Sequence, residues 1–553
     1  MTPNLQRRAF PLALLWAAAL VAAAIAWRPL TPVDETRYAT VAWELWLSGD
    51  WVSLRLNGDL YGHKPPLLFW LINLGWHLLG VSEWWPRLLC GLFAFGALAL
   101  VHRLARRLAP DREEVAAMAL LVSGSSLYWM AFTGAVMFDL MLTFFVLLGV
   151  SAVAWAAAGG GPRAWVLVGL AMGLGILTKG PVALLHVLPV ALLAPWWWPG
   201  SGGRPRMPFD RRRWYAGIAL AVLVAAGVAL AWAVPTAIAG GEAFRREIFW
   251  SQSADRIAST VHHLQPWWFY FAMVPLLLAP WLFFPAIWRG LPALARNEVP
   301  LDLRFVLAWL VPVFLAFSAF RGKQVQYLLP LVPALALLVG ATLAMRGGEL
   351  RRWEMLVLAA VFAALAAALP VLAQQPRVAQ LVEAHELRRL WWSVGAIVLA
   401  AILVGTAPRR DVVRAVARVG SAAVVAVLGI YAGVGHAAFD AYDLHAVSHH
   451  LAAVQQAGHP IAHADKYHGQ FQFIGRLRQP LTVVPERQAL LDWAHRHPDG
   501  RVVLYSYEPL EHARGAAPEF AQRFKGRFVS IWQASDLDAL SDGWTRNRDG
   551  DLR

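Results

Sequence analysis

Residues 10–35 read FPLALLWAAALVAAAIAWRPLTPVDE. The apolar run from Phe10 to Trp27 has about the 20-residue length that crosses the hydrocarbon core of a bilayer. Arg7 and Arg8 precede it, and Asp34 and Glu35 stand just beyond it. A basic start followed by an apolar run resembles a signal peptide. This run continues to Trp27 with no small-residue cleavage site, so it reads as an uncleaved first span.

The rest of the chain repeats that pattern. Of its 553 residues 58% are hydrophobic and 15% charged, where soluble proteins carry about 25% charged residues. Mean hydropathy is +0.48. Window hydropathy predicts about thirteen spans, at 9–27, 84–101, 115–133, 137–157, 164–179, 181–198, 214–238, 267–288, 305–319, 327–345, 354–373, 391–407 and 416–435. The stretch 66–80 reads as a re-entrant or interfacial helix. The expected class is a polytopic α-helical membrane protein.

A net charge of +14 would suit nucleic acid if it formed a patch. The arginines instead cluster in short loops between apolar blocks, as in HRLARRLAPDREE (102–114), GGRPRMPFDRRR (202–213) and PRRDVVRAVAR (408–418). Basic loops alternate with less basic ones, which is the positive-inside pattern, and nucleic acid is excluded as a partner. With Arg7 and Arg8 inside, an odd number of spans puts the C-terminus outside. In a bacterial inner membrane that side is the periplasm. The lone Cys90 lies in an apolar block, so no disulfide framework is expected.

From residue 436 the chain turns polar, with strand-like runs such as PLTVV (480–484) and RVVLYSY (501–507). The expected organisation is a membrane domain over 1–435, with a first outer loop at 28–83, and a small periplasmic α/β domain over 436–553.

On this topology the unusual polar residues share one face. The first outer loop supplies Asp34, Glu35, Arg37, Tyr38, Arg55, Tyr61, His63 and Lys64; Asp139 and Lys179 lie at outer span ends; later loops add His263, Lys323 and Tyr327. A charge at a helix centre costs about 2.5–3.5 kcal/mol to insert, so several of both signs at one surface imply a polar cavity there. Each has a plain alternative. Either acid alone suits a helix N-terminus, the lysines can snorkel to headgroups, and His262 and His263 suit a loop. Asp139, flanked by AVMF and LMLTFF, demands a cationic or hydrogen-bonding partner.

Cations beside tyrosines at a membrane surface suit a lipid-linked phosphate, whose charge they stabilise as it leaves. A carboxylate there can deprotonate an acceptor hydroxyl or stabilise an oxocarbenium-like sugar. No glycine-rich nucleotide loop stands on a credible strand. A lipid-linked sugar donor fits that absence.

The stretch TPVDETRYATVAWELWLSGDWVSLRLNGDLYGHKPPLLFWLINLGWHLLGVSEWWPRL (31–88) resembles the first outer loop of the bacterial aminoarabinose (4-amino-4-deoxy-L-arabinose) lipid A transferases. These are protein-O-mannosyltransferase-like glycosyltransferases of GT-C type. The likeness continues in FDLMLTFF (138–145), LTKGP (177–181), SADRIASTVHHLQPWWFYF (253–271) and SAFRGKQVQYLLPLVPALALL (318–338). It implies a GT-C fold of about thirteen membrane helices and transfer of a sugar from undecaprenyl phosphate, with inversion, to lipid A or another envelope acceptor.

By motif position the resemblance makes Asp34 the catalytic carboxylate and Asp139 a second site acid. Glu35, Arg37, Tyr38, Arg55, Tyr61, Lys64, Lys179, Lys323 and Tyr327 would bind donor or line the pocket. The family commonly has Glu before the KPPL lysine, and this chain has His63. A His63–His263 pair can bind zinc, without a catalytic requirement. The missing acid also leaves open another sugar, such as mannose carried to protein. Two other readings are a polyprenyl-sugar flippase and a non-catalytic envelope partner. The first predicts midplane charges and repeated halves; the charges instead gather at one face, and no repeat is visible.

Overall fold

The computed structural model describes residues 3–198, 208–242, 264–296, 301–345, 350–375, 387–508, 510 and 517–540. Among these, nine helices are long and apolar enough to span a membrane, from Arg8–Trp27 to Val412–Gly435. The remaining expected spans are helical but short or broken. The segment expected to run unbroken over 115–133 divides into α5 (Glu113–Ser125) and α6 (Leu127–Phe132). Ser125 and Ser126 donate their hydroxyls back to the carbonyls of Leu121 (2.5 Å) and Val122 (2.7 Å). Ser126 then turns extended, an alternative to continued helix that serine side chains offer. The 267–288 segment breaks into helices Phe269–Leu277 and Pro285–Ala295 around a 3-10 turn at Trp281–Phe283. Pro275, Pro280 and Pro285 lack the amide that a continuous helix needs.

Between α1 (Pro3–Trp27) and α4 (Trp84–Leu108) the first loop folds into α2 (Asp34–Ser48), the hairpin β1 (Arg55–Leu56) and β2 (Asp59–Leu60), and α3 (Leu67–Leu79). The hairpin turns at Asn57 and Gly58, with φ of 55° and 85°, the Asn-Gly chemistry a two-residue turn favours. Glu44 on α2 accepts from the amides of Asn57 (2.5 Å) and Gly58 (2.9 Å) and seats the turn. The 66–80 stretch is thus a helix, too short to span.

The C-terminal segment forms a five-stranded mixed sheet of order β4-β3-β5-β7-β6. Its strands are β3 (Ile461–His463), β4 (Thr482–Val483), β5 (Arg501–Ser506), β6 (Phe520–Phe524) and β7 (Arg527–Gln533). Side chains alternate between its faces. Ala462, Val502, Leu504 and Trp532 pack on the helix Arg487–Arg496 through Leu490 and Trp493. Val503, Val529 and Ile531 join a core that also holds Val41, Leu45 and Trp76 of α2 and α3. Further ties cross from loop to domain. Thr40 donates to the Gly469 carbonyl (2.5 Å) and the Trp43 indole to that of Leu477 (2.8 Å). Trp76 stacks on Phe473 at 5.0 Å. The 28–83 loop and the sheet domain therefore lie on the same side of the helical bundle.

Candidate functional site

Neither Asp34 nor Glu35 is the N-cap of α2; that residue is Val33, and the two acids fill the first turn, where the helix dipole favours negative charge. Successive residues on a helix point about 100° apart, and the pair divides accordingly. Glu35 turns inward and is buried. Its carboxylate meets Arg28 at 2.7 Å and Arg87 at 3.5 Å and accepts from the amides of Thr31 (2.9 Å) and Val136 (2.7 Å) and from the Thr31 hydroxyl. Burial alone would raise its pKa; Arg28, Arg87 and Thr31 overcome that and hold it at about 2. Glu35 thereby clamps the end of α1, the start of α2, α4 and the chain just before residue 138. Its oxygens are taken up by the protein, which gives it a positioning role in place of the expected donor contact.

Asp34 turns outward, with 48% of its side chain exposed. It borders a cavity of about 240 Å³ lined also by Arg28, Thr31, Phe132, Ala135 and Met137. The Tyr38 hydroxyl donates to it at 3.3 Å, and Arg37 stands 4.0 Å away. The Arg37 Nε is buried with no hydrogen-bond partner. Tyr38 is itself buried, edge-on to Phe138 at 4.8 Å. Burial, with Asp34 next, pushes its phenol well above the ordinary range; Tyr61 and Asp139 act in the same direction. The first loop and α7 (Phe138–Ala157) thus bring Asp34, Tyr38, Tyr61 and Asp139 into one neighbourhood.

Asp139 is in the first turn of α7, and Lys179 ends α8 (Gly161–Lys179). Helix dipoles favour an acid at the first position and a cation at the second. The two helices pack together and their charges meet at 2.5 Å. The partner demanded for Asp139 by the sequence is therefore Lys179. The Lys179 ammonium also lies 5.0 Å from the Tyr327 ring centroid, a cation–π distance.

Other expected site residues sit differently. Arg55 is exposed and closes the β1–β2 turn by donating to the Gly58 carbonyl at 2.9 Å. Lys323 is buried and donates to the carbonyls of Gln265 (3.0 Å) and Phe320. It straps two chain segments together. Lys64 is half-buried in the linker between β2 and α3. His63 is exposed, its ring 5.4 Å from that of Tyr61. Its proposed zinc partner His263 lies outside the described residues, as do Glu247, Asp255, Arg256 and His262.

Several contributors went unread in the sequence. Arg87, the fourth residue of a spanning helix in an otherwise apolar context, carried the same signal as Asp139. Arg28 directly follows the first apolar run, and nothing in the linear sequence shows what it pairs with. Two more come from the sheet domain. Lys525, at the tip of the β6–β7 hairpin, lies in the field of Asp34, and His468 in that of Arg37 and Lys525.

The fold has known counterparts. The ArnT structure of Cupriavidus metallidurans bound to undecaprenyl phosphate superposes with a TM-score of 0.74 over 96% of this chain and 98% of its own, at 22% identity. The fold is GT-C. An oligosaccharyltransferase of Archaeoglobus fulgidus shares it more distantly, with a TM-score of 0.51 at 12% identity over 93% of this chain and 70% of its own. The family model for dolichyl-phosphate-mannose-protein mannosyltransferases matches residues 63–232 of this GT-C chain. In sequence the chain resembles undecaprenyl phosphate-α-4-amino-4-deoxy-L-arabinose arabinosyl transferases. It is 35% identical over 323 residues to that of Pseudomonas paraeruginosa, covering 57% of this chain and 55% of the relative. With a second such protein of Pseudomonas fluorescens it shares 32% over 388 residues, covering 68% and 64%. The chain thus matches between about half and two thirds of the length of these relatives.

Proposed function

We propose that this protein is a membrane glycosyltransferase that moves a sugar from undecaprenyl phosphate to an envelope acceptor. The first-choice pair is 4-amino-4-deoxy-L-arabinose and a lipid A phosphate. The observation that carries the reading is Asp34, outward-facing at a cavity rim, with a cation whose buried Nε lacks a partner one turn further along the same helix. The named relatives and the undecaprenyl phosphate in the ArnT structure support the donor. The arginine-rich loops support a periplasmic side for the first loop and the sheet domain.

In the proposed reaction an acceptor oxygen attacks the anomeric carbon from the face opposite the lipid phosphate. The new C–O bond forms as the bond to undecaprenyl phosphate breaks, and the electron pair leaves with that phosphate. Arg37 and Lys64 stabilise the charge it gains. A phosphate acceptor is already ionised and gives up no proton, so Asp34 orients the sugar and stabilises positive charge at its ring. A hydroxyl acceptor would pass its proton to Asp34. No step requires a metal; zinc at His63 and His263 is a peripheral proposal, checked by metal analysis of the purified protein. His63, where the resemblance commonly has Glu, together with the mannosyltransferase family match, favours mannose or another sugar as the second reading.

Mass spectrometry of lipid A and other envelope glycans, with and without the gene product, tests the proposal. A pentosamine added to lipid A phosphates is expected. Asp34→Asn should abolish that product at unchanged protein level; full transfer by the variant would refute the role of Asp34.

A further inference from the structure

The sheet domain does more than cap the bundle. The β6–β7 hairpin turns through Lys525 and Gly526, with φ of 52° and 75°. A turn with both central residues at positive φ favours Asn-Gly or Gly-Gly, and a lysine at the first position costs about 1 kcal/mol or more in backbone strain. What the lysine adds is an ammonium at the tip. Its backbone amide donates to the Ala441 carbonyl at 3.0 Å, which fixes the tip against the chain leaving the last span. Its Nζ lies 5.8 Å from the Tyr442 ring centroid. Two residues before Ala441, the Phe439 ring packs 5.9 Å from the guanidinium of Arg28, which lines the same cavity as Asp34. Burial lowers the Lys525 pKa, and the charge opposing that fall is Asp34.

A second group arrives by another route. Gly469 is held against α2 by its carbonyl's bond to Thr40. A Cβ there would come within 2.6 Å of Leu56 and 3.0 Å of Thr40. Thr40 is nearly one turn beyond Arg37, so this pin sets the neighbouring His468 over the Arg37 end of the helix, in the field of both Arg37 and Lys525.

We propose that Lys525 and His468 of the sheet domain form the acceptor side of the site, a grip for a lipid-borne phosphate monoester presented to the sugar held at Asp34. The inference rests on the transferase reading above and adds which part of the chain selects the acceptor. Donor cations come from the first loop; from the opposite wall Lys525 brings a cation, and His468, whose pKa burial and then Arg37 lower, brings a neutral imidazole N–H. A phosphate seated between Lys525 and His468 is attached to its lipid, whose acyl chains remain in the membrane beside the bundle. Two such anions, donor and acceptor, meet across Asp34, and cations on both sides offset their mutual repulsion.

The test uses the full-length protein in nanodiscs and measures binding separately from turnover. The probes are bisphosphorylated lipid A, the same lipid A after phosphatase treatment, inorganic phosphate, and undecaprenyl phosphate. Wild type should prefer phosphorylated lipid A. Lys525→Ala should weaken that binding by roughly tenfold, the scale of one lost charge-assisted hydrogen bond, and erase the preference. His468→Ala should weaken it less. Lys525→Arg should keep most of it, which also shows that the hairpin folds when its tip is altered. Undecaprenyl phosphate should bind all variants equally. The proposal is overturned if Lys525→Ala binds phosphorylated lipid A like wild type, or loses undecaprenyl phosphate to the same degree. Inorganic phosphate binding as tightly as lipid A would also overturn the lipid-borne source. A wild-type protein that transfers no sugar would sink the transferase reading alone, since the binding comparison does not need turnover.

Discussion

Replacing Glu35 by Gln removes a charge enclosed by two guanidiniums while keeping the shape of the side chain. The cost follows from its surroundings. An ordinary glutamate titrates near 4.5, and here the carboxyl is held at about 2. At 1.36 kcal/mol for each pH unit the difference corresponds to roughly 3 kcal/mol, and mutational data on broken buried pairs give about 3–5 kcal/mol. Because the folded pKa is depressed, the contribution is complete above pH 4.5 and disappears as pH falls toward 2. Thermal unfolding of the purified protein in detergent provides the assay. At pH 7 the Glu35→Gln midpoint should lie about 3 °C below wild type for a chain of this length. The gap should narrow as pH is lowered from 4.5 toward 2. Adding Arg87→Met to the variant should cost less than the two changes summed, because Glu35 and Arg87 are in contact. A constant gap across that pH range, or strict additivity, would refute the clamp.

Lys179→Met should strand the buried Asp139 carboxylate and lower stability by about 3–5 kcal/mol. The pair Lys179→Met and Asp139→Asn should recover much of it, and no recovery in thermal unfolding would show that the two do not act as a pair. His445 donates one ring N–H to Asp443 (2.5 Å) and the other to Glu83 (3.1 Å), just before α4. Its hydrogen bonds to Asp443 and Glu83 raise its pKa to about 10. The raised value means this attachment of domain to bundle is complete below pH 6.5 and is lost as pH rises through 10. Amide protection in residues 445–456, corrected for the intrinsic base-catalysed exchange rate at each pH, should fall over that interval in wild type and stay constant in His445→Ala. Gly469→Ala sets a Cβ against Leu56 and Thr40 at a positive φ, and should destabilise by about 1–3 kcal/mol. Unchanged unfolding would show that the 468–470 loop is free to shift.

The membrane domain was legible because hydropathy windows average over many residues, and its spans are apolar throughout. The same averaging hid the breaks. A single extended residue at Ser126 barely alters a window, although the serine cluster that causes it was in view. The Asp34–Glu35 pair was legible as unusual, and Asp139 as needing a partner. Which acid faces the cavity depends on the phase of α2 against Arg28 and Arg87, and that phase is set by tertiary packing. Arg55 and Lys323 look like ligand residues in a linear reading because a cation beside a glycine turn carries no sign of its target. Arg55 is spent on a carbonyl of its own turn, and Lys323 on carbonyls of its own turn and of a second segment at Gln265. Lys525 lies nearly the whole chain away from Asp34 in sequence, and no local pattern connects them.

Helix α2 has two owners. Its first turn presents Asp34, while its middle is bonded to the sheet domain through Thr40 and Trp43. The chain therefore has no clean seam at residue 436. Deleting the C-terminal segment would strip Val41, Leu45 and Trp76 of their cover and loosen the helix that aims Asp34. A chimaera that exchanges the sheet domain for a relative's would need to carry α2, the β1–β2 hairpin and α3 with it as a single cassette.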